Sequence, residues 1–141
     1  MTIRNQTIMQ TLPSSVDAIQ LMNFLDEKEV NSSYWKTLKD FTNLNDVAIS
    51  SLFSISVKTY RSYRGRKPKQ LAEKDKEQIV ALLTLFKHGK EVFGTIKEFM
   101  SWLIDENFFF DGNSPDKSLK TISGIKFIDD RLTGMEYGDN V

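Results

Sequence analysis

Apolar residues recur at intervals of three and four along most of the chain, which is the spacing of one face of an α-helix. The clearest stripe lies within a long predicted helix over about 72–93, and its members are Ile79, Leu82, Leu83 and Phe86. No run of alternating β-branched residues interrupts the pattern. The sequence therefore predicts an all-α fold.

Two helices are predicted in the first third of the chain. One opens at Pro13 and has Ile19, Met22 and Leu25 on its buried face, and the other follows Ser32. Residues 1–12 are mostly polar and are expected to be flexible.

Three further helices are predicted after the long one. Gly94 ends the long helix, and Thr95 with Glu98 forms a capping box for the next. Residues 105–114 are expected to be a loop, Ser114 and Pro115 are expected at the cap and first position of a short helix, and Thr121 is expected to cap the last helix. Its Asp129-Asp130 pair is expected on the solvent-exposed face.

Charge is unevenly distributed, although the 141-residue chain has no formal net charge. Residues 47–72 hold six basic side chains and no acidic one, whereas residues 105–141 hold four basic and eight acidic ones. This asymmetry favours a nucleic-acid contact in the middle of the chain and a different partner for its acidic end.

Several classes of protein and site are not expected. The chain has no cysteine, which excludes disulfides and thiolate sites. Neither a signal peptide nor an apolar run of about 20 residues is present, so a cytoplasmic protein with no membrane partner is expected. His88, the single histidine, has no carboxylate at a motif spacing, and 111–116 lacks the closing glutamate of a calcium loop. No enzymatic activity, metal or cofactor is therefore expected.

Two short helices flank a tight turn in the basic stretch, which is the arrangement of a helix–turn–helix. Asn45 is predicted to cap the first helix and Ser56 the second, with Val57 and Tyr60 packed inward. The candidate DNA-binding residues are donors suited to base edges and phosphates: Ser56, Lys58, Thr59, Arg61, Ser62, Arg64, Arg66, Lys67 and Lys69. The alternative is a solvated basic helix end, since Lys and Arg are favourable at any helix C-terminus.

The segment from about Phe41 to Val141 resembles the Xre/MbcA/ParS antitoxins of bacterial type II toxin–antitoxin pairs. Residues 49–61 match the family's Xre-like helix–turn–helix. The toxin-binding part is matched, in the family's order, by Val92-Phe93-Gly94, Trp102-Leu103, Asn107, Gly112 with Pro115, Leu119 with Thr121 and Gly124, and Glu136-Tyr137-Gly138. The chain departs from the family pattern in three places: Leu71-Ala72 stands where a Ser or Thr would cap the long helix, Phe108 replaces a frequent proline, and 139–141 lacks the usual aliphatic or aromatic ending.

The resemblance implies a helical domain with an Xre-like helix–turn–helix over residues 1–70 and a toxin-binding domain over 71–141. It implies an antitoxin that forms homodimers, binds its own promoter and covers the active site of a RES-domain toxin that consumes NAD⁺. The candidate toxin-binding residues are Trp102, Asn107, Phe109, Pro115, Tyr137, Gly138, Asp139, Asn140 and Val141, although Trp102 also suits a core position. The alternative is a helix–turn–helix transcriptional regulator with no toxin partner.

Overall fold

The computed structural model describes residues 2–65, 70–107 and 110–138, which hold eight α-helices and a short 3-10 helix at Pro115–Ser118. The α-helices are α1 (Ile3–Thr11), α2 (Ala18–Glu27), α3 (Ser33–Thr42), α4 (Asp46–Leu52), α5 (Val57–Arg64), α6 (Glu73–Phe93), α7 (Ile96–Ile104) and α8 (Ile122–Glu136). No strand occurs in these described ranges, and the predicted all-α fold is confirmed.

Helix α6 runs through the centre of the molecule. Every residue from Ile79 to Phe86 is buried, so the helix is covered on all sides and not only along its predicted stripe. Thr84 tolerates this position because its hydroxyl donates to the Val80 carbonyl at 2.8 Å. Around α6 pack α1, α2 and α3 from the first half of the chain and α7 and α8 from the second. One core therefore extends across the predicted boundary near residue 70.

The first residues form helix α1, in contrast to the flexible start expected from the sequence. The Thr2 hydroxyl caps this helix by accepting from the Asn5 N–H at 3.1 Å. Asn5 is 1% exposed, and its amide group binds the side chains of Asp40 and Thr37, each at 2.8 Å. The local sequence does not reveal this helix, because the partners of Asn5 lie more than thirty residues away.

Helix α2 begins later than predicted and buries a different face. Asp17 caps it, with its carboxylate accepting from the Ile19 N–H at 3.0 Å. Leu21 and Phe24 are buried, whereas Ile19 and Met22 are 68% and 64% exposed. Apolar residues occupy both sides of this helix, and packing against α6 determines which side is covered.

The length and polarity of the helices bear on membrane association. The longest, α6, carries charged residues at both ends. None of the helices in the described ranges is both long and apolar enough to cross a membrane.

Candidate functional site

Helices α4 and α5 are the two short helices predicted in the basic stretch, and residues 53–56 connect them. Both predicted caps are present. The Asn45 side chain accepts from the Ala48 N–H at 2.8 Å, and the Ser56 hydroxyl accepts from the Thr59 N–H at 3.0 Å. The role of this helix pair in DNA binding stays a prediction.

Trp35 of α3 packs beneath the helix pair and is fully buried. Its ring stacks on Tyr63 with centroids 5.4 Å apart, and it also contacts Phe53 at 4.3 Å and Tyr60 at 5.4 Å. The Tyr63 hydroxyl donates to the buried carboxylate of Asp75 at 3.0 Å. Aromatic packing and this hydrogen bond therefore fix the inner face of α5 and determine which of its side chains reach solvent.

The solvent face of α5 carries most of the predicted DNA-binding donors. Lys58, Arg61, Ser62 and Arg64 are exposed, and Thr59 is half-buried. Ser56 is exposed, but its hydroxyl is already used as the helix cap. Three further predicted residues, Arg66, Lys67 and Lys69, lie outside the described residues.

Asp46, the first residue of α4, binds three cations of this surface. Its carboxylate accepts from Arg61 Nε at 3.2 Å, from Arg64 Nη1 at 3.3 Å and from the Lys39 ammonium. These bonds, that of Lys39 foremost, hold the pKa of Asp46 below its ordinary value. Asp46 lies one residue before the acid-free stretch 47–72, so the charge pattern of the sequence does not point to it. Arg61 and Arg64 would have to break their ion pairs with Asp46 before they could contact DNA.

Aromatic side chains connect the elements that follow α6. Phe93, at the end of α6, contacts Phe99 and Trp102 of α7, with ring centroids 5.8 Å and 5.6 Å apart. Trp102 then contacts Phe110 at 6.0 Å, and Phe110 contacts Phe127 of α8 at 5.2 Å. This chain of rings holds α7 and the following loop against α8.

The backbone of Asn107 closes the loop between α7 and the 3-10 helix. Its N–H donates to the Asn113 carbonyl at 3.0 Å, while its carbonyl accepts from the N–H groups of Phe110 and Gly112 at 3.0 Å and 3.1 Å. Gly112 has a φ of 78°, a backbone conformation that favours glycine. These motif positions therefore shape the loop.

Gly124 lets the start of α8 approach the 3-10 helix. A methyl group at this position would lie 1.9 Å from the Ser118 carbonyl oxygen, which is far inside van der Waals contact. The hydroxyl of Thr121 caps α8 by accepting from the Gly124 N–H at 3.0 Å. Thr121 and Gly124 thus have separate structural roles: the threonine caps α8, and the glycine allows the close approach of α8 to the 3-10 helix.

His88 of α6 bridges two carboxylates of α8. Its Nδ1 donates to Asp129 at 2.7 Å, and its Nε2 donates to Glu136. The second oxygen of Asp129 accepts from the Val16 N–H at 2.9 Å. The hydrogen bond to Asp129 is the main cause that raises the pKa of His88 to about 9, against the opposing effect of burial. The imidazole is therefore a cation at neutral pH.

This bridge was not found in the sequence. Asp129 is 1% exposed, so its predicted place on the solvent-exposed face is wrong, whereas Asp130 beside it is exposed as expected. The two carboxylates follow His88 by 41 and 48 residues, and no local spacing relates them. A signal was nevertheless present, since Glu136 opens the closing glutamate-tyrosine-glycine pattern.

Comparison with known protein families identifies the segment that contains this bridge. Residues 88–138 match the family described as antitoxin Xre/MbcA/ParS C-terminal toxin-binding domain. By this match the segment is similar to the Xre/MbcA/ParS toxin-binding domains, and residues 88–138 are called the toxin-binding domain from here on. The resemblance noted in the sequence is thereby confirmed for this part of the chain, and a toxin-binding domain implies a toxin protein as its partner. No curated protein matches the chain.

Within the toxin-binding domain, the predicted contact residues differ in exposure. Trp102 is 8% exposed and Pro115 is buried, so both side chains serve the packing of the domain and offer little surface to a partner. Asn107 is half-buried, whereas Tyr137 is 85% exposed and Gly138 follows it with a φ of 91°. Outside the described residues lie Phe109, Asp139, Asn140 and Val141.

Two exposed apolar side chains of the toxin-binding domain were not singled out in the sequence. Phe127 on α8 is 51% exposed, and Ile104 at the end of α7 is 65% exposed. Large exposed apolar groups are common at protein interfaces, and aromatic ones are enriched there. With Tyr137 they are the largest exposed apolar side chains in the described part of this domain.

The described ranges hold no group of three or more His, Cys, Asp and Glu side chains arranged for a metal ion. The ring nitrogens of His88 are both hydrogen-bonded to carboxylates. The chemistry that this arrangement supports is therefore charge pairing between α6 and α8.

Proposed function

We propose that this chain is the antitoxin of a type II pair, that it inhibits a RES-type toxin that consumes NAD⁺, and that α5 binds the promoter of its own operon. The observation that carries the proposal is the match of residues 88–138 to the toxin-binding domain of this antitoxin family. The RES class of the toxin and the promoter binding come from the resemblance of the sequence to the same family.

Two features support a role for the end of the chain in inhibition. The His88 bridge to Glu136 holds the last turn of α8, directly before the exposed Tyr137 and Gly138. The region 105–141 is acidic, with four basic and eight acidic residues. Such a segment would complement a toxin cleft that binds the phosphates of NAD⁺.

The direct test of the proposal is co-expression with the product of the neighbouring gene, followed by size-exclusion chromatography and an assay of NAD⁺ consumption. We expect the two proteins to elute as a stable complex, and we expect this complex to consume NAD⁺ more slowly than the toxin alone. Absence of a toxin gene beside this one would favour the alternative of a helix–turn–helix regulator with no toxin partner.

Truncation after Tyr137 is expected to weaken toxin inhibition by about tenfold or more, because a few central contacts carry most of the energy of an interface. The fold should stay intact, since an added Cβ at Gly138 has no neighbour within 4 Å among the described residues. The measurement is the inhibition constant for NAD⁺ consumption, with thermal unfolding as a check on folding. Lys97→Ala, at an exposed site on α7, is the matched control. Unchanged inhibition by the truncated chain would remove the tail from the mechanism.

Replacing Arg61 with alanine is expected to weaken promoter binding by about 1–3 kcal/mol if this side chain contacts a base. Asp46→Asn should act in the opposite direction, because it releases Arg61 and Arg64 and removes a negative charge from the surface. Affinities are measured by fluorescence anisotropy on promoter DNA at low salt. Equal affinities for the wild type and Arg61→Ala would contradict α5 as the recognition helix.

A further inference from the structure

A polar cavity of about 580 Å³ lies where the starts of α1 and α3 meet the end of α5. Among the described residues, three cationic side chains line it: Arg4 from α1, Lys36 from α3 and Arg64 from α5. The other described residues of its wall contribute hydroxyl side chains and the amide of Asn5. None of these described lining residues is acidic, and the space is here called the Arg4 cavity.

The cations of the Arg4 cavity are poorly neutralised. Within the described part of the chain, neither Arg4 nor Lys36 forms an ion pair, and Arg64 is paired with Asp46 at 3.3 Å. The carboxylate of Asp40 is hydrogen-bonded to Asn5 but does not line the cavity. Like charges gathered at one concave surface repel each other and attract an anion.

The helix starts add to this positive potential. Thr2 is the cap of α1 and Ser32 the cap position of α3, and both line the cavity. The N-terminal ends of two helices, with the positive ends of their dipoles, therefore reach the same space as the three cations. The charges and the dipoles have the same sign and favour the same kind of ligand.

The composition of the wall favours a phosphate over a whole nucleotide. No aromatic side chain from the ranges that the structure describes lines the Arg4 cavity, so these walls offer a base no surface on which to stack. Cations and hydroxyl groups are the side chains that bind phosphate oxygens of a DNA backbone.

We propose that the Arg4 cavity binds a backbone phosphate of the DNA that lies on α5. Arg64 makes the two surfaces continuous, because it is the last residue of α5 and also lines the cavity. This inference rests on the DNA binding proposed above. It assigns the N-terminal residues of the chain a part in affinity, with no part in the choice of sequence.

The test compares two double variants that each remove two positive charges. In the first, Arg4→Gln is combined with Lys36→Gln. In the matched control, Lys97→Gln is combined with Lys120→Gln, at two exposed sites of the toxin-binding domain that form no ion pair with other described residues. Affinity is measured over a series of salt concentrations, on promoter DNA and on an unrelated duplex of equal length.

We expect the first variant to reduce the slope of log K against log salt by about 1 relative to the wild type, which corresponds to one lost phosphate contact. The reduction should be equal on both duplexes, since phosphates carry no sequence information. The control should keep the wild-type slope. Arg4→Lys with Lys36→Arg should also keep it, because the charges remain.

Three results would overturn the inference. If the wild type binds DNA and the first variant has the same slope, the Arg4 cavity is rejected as a phosphate site and the proposed role of α5 is unaffected. A wild type that binds neither duplex would reject both proposals. Saturable binding of ATP in equilibrium dialysis, abolished by the first variant without any change in DNA binding, would assign the cavity to a free anion. If the double variant fails to fold, as judged by thermal unfolding, Lys36→Gln alone carries the same comparison.

Discussion

Replacing Asp129 with alanine is expected to lower the free energy of unfolding by about 3–5 kcal/mol, because it breaks a buried ion pair from one side. The carboxylate accepts two bonds, from His88 Nδ1 at 2.7 Å and from the Val16 N–H at 2.9 Å, while being 1% exposed. Without this carboxylate, the buried imidazolium of His88 loses one of its two partners, and the Val16 N–H loses its acceptor. Chemical denaturation at neutral pH measures the loss.

The neighbouring aspartate provides the matched control. Asp130 is on the same helix, but its side chain is 62% exposed and it pairs with Lys126 at 3.2 Å. Asp130→Ala should change the free energy of unfolding by less than about 1 kcal/mol, as is usual for exposed pairs. If the two alanine variants lose similar amounts of unfolding free energy, the bonds of Asp129 to His88 and Val16 contribute no more to stability than an exposed aspartate on the same helix.

The stability of the protein is expected to fall as the pH rises from 6.5 through about 9. The pKa of His88 is raised in the folded state from 6.5 to about 9, so folding favours the protonated imidazole. The contribution is fully present below the unfolded pKa and is lost as the pH passes the folded pKa. A shift of this size corresponds to about 3 kcal/mol.

The variant that tests this pH dependence is His88→Gln. Its free energy of unfolding should be lower than that of the wild type at pH 6, and the two values should converge near pH 10. Denaturant titrations at intervals between pH 6 and pH 10 give both profiles. A wild-type profile that is flat over this window would mean that the imidazole is not held as a cation by Asp129 and Glu136.

The His88 bridge also relates stability to the proposed inhibition. Glu136 is the last residue of α8, and its bond to His88 fixes the point from which Tyr137 and Gly138 leave the domain. The glutamate of the closing motif is thus a structural residue, and the exposed tyrosine beside it is the one available to a partner.

Much of the local structure could be predicted from the sequence. Helices α4, α5, α7 and α8 begin at the expected caps, which are Asn45, Ser56, Thr95 and Thr121 in that order. Each of these caps is a hydrogen bond to a backbone N–H three residues on, so the sequence contains both partners within one helical turn. The order of motifs after Val92 likewise identified the toxin-binding domain.

The errors occurred where polar groups find partners far along the chain. The start of α1 depends on Asn5 bound to Asp40, and the last helix depends on Asp129 bound to His88 and to Val16, which precedes it by 113 residues. Asp46 likewise meets Arg61 and Arg64 only after α4 folds back on α5.

The sequence by itself determined the helical class, the helix caps and the family of the C-terminal part, because periodicity, capping and motif order are local properties of the chain. Only the tertiary structure decided which face of α2 is buried, which aspartates are paired and which predicted contact residues are exposed. Burial and ion pairing depend on the surface that each helix meets, and α6 supplies that surface for helices from both halves of the chain.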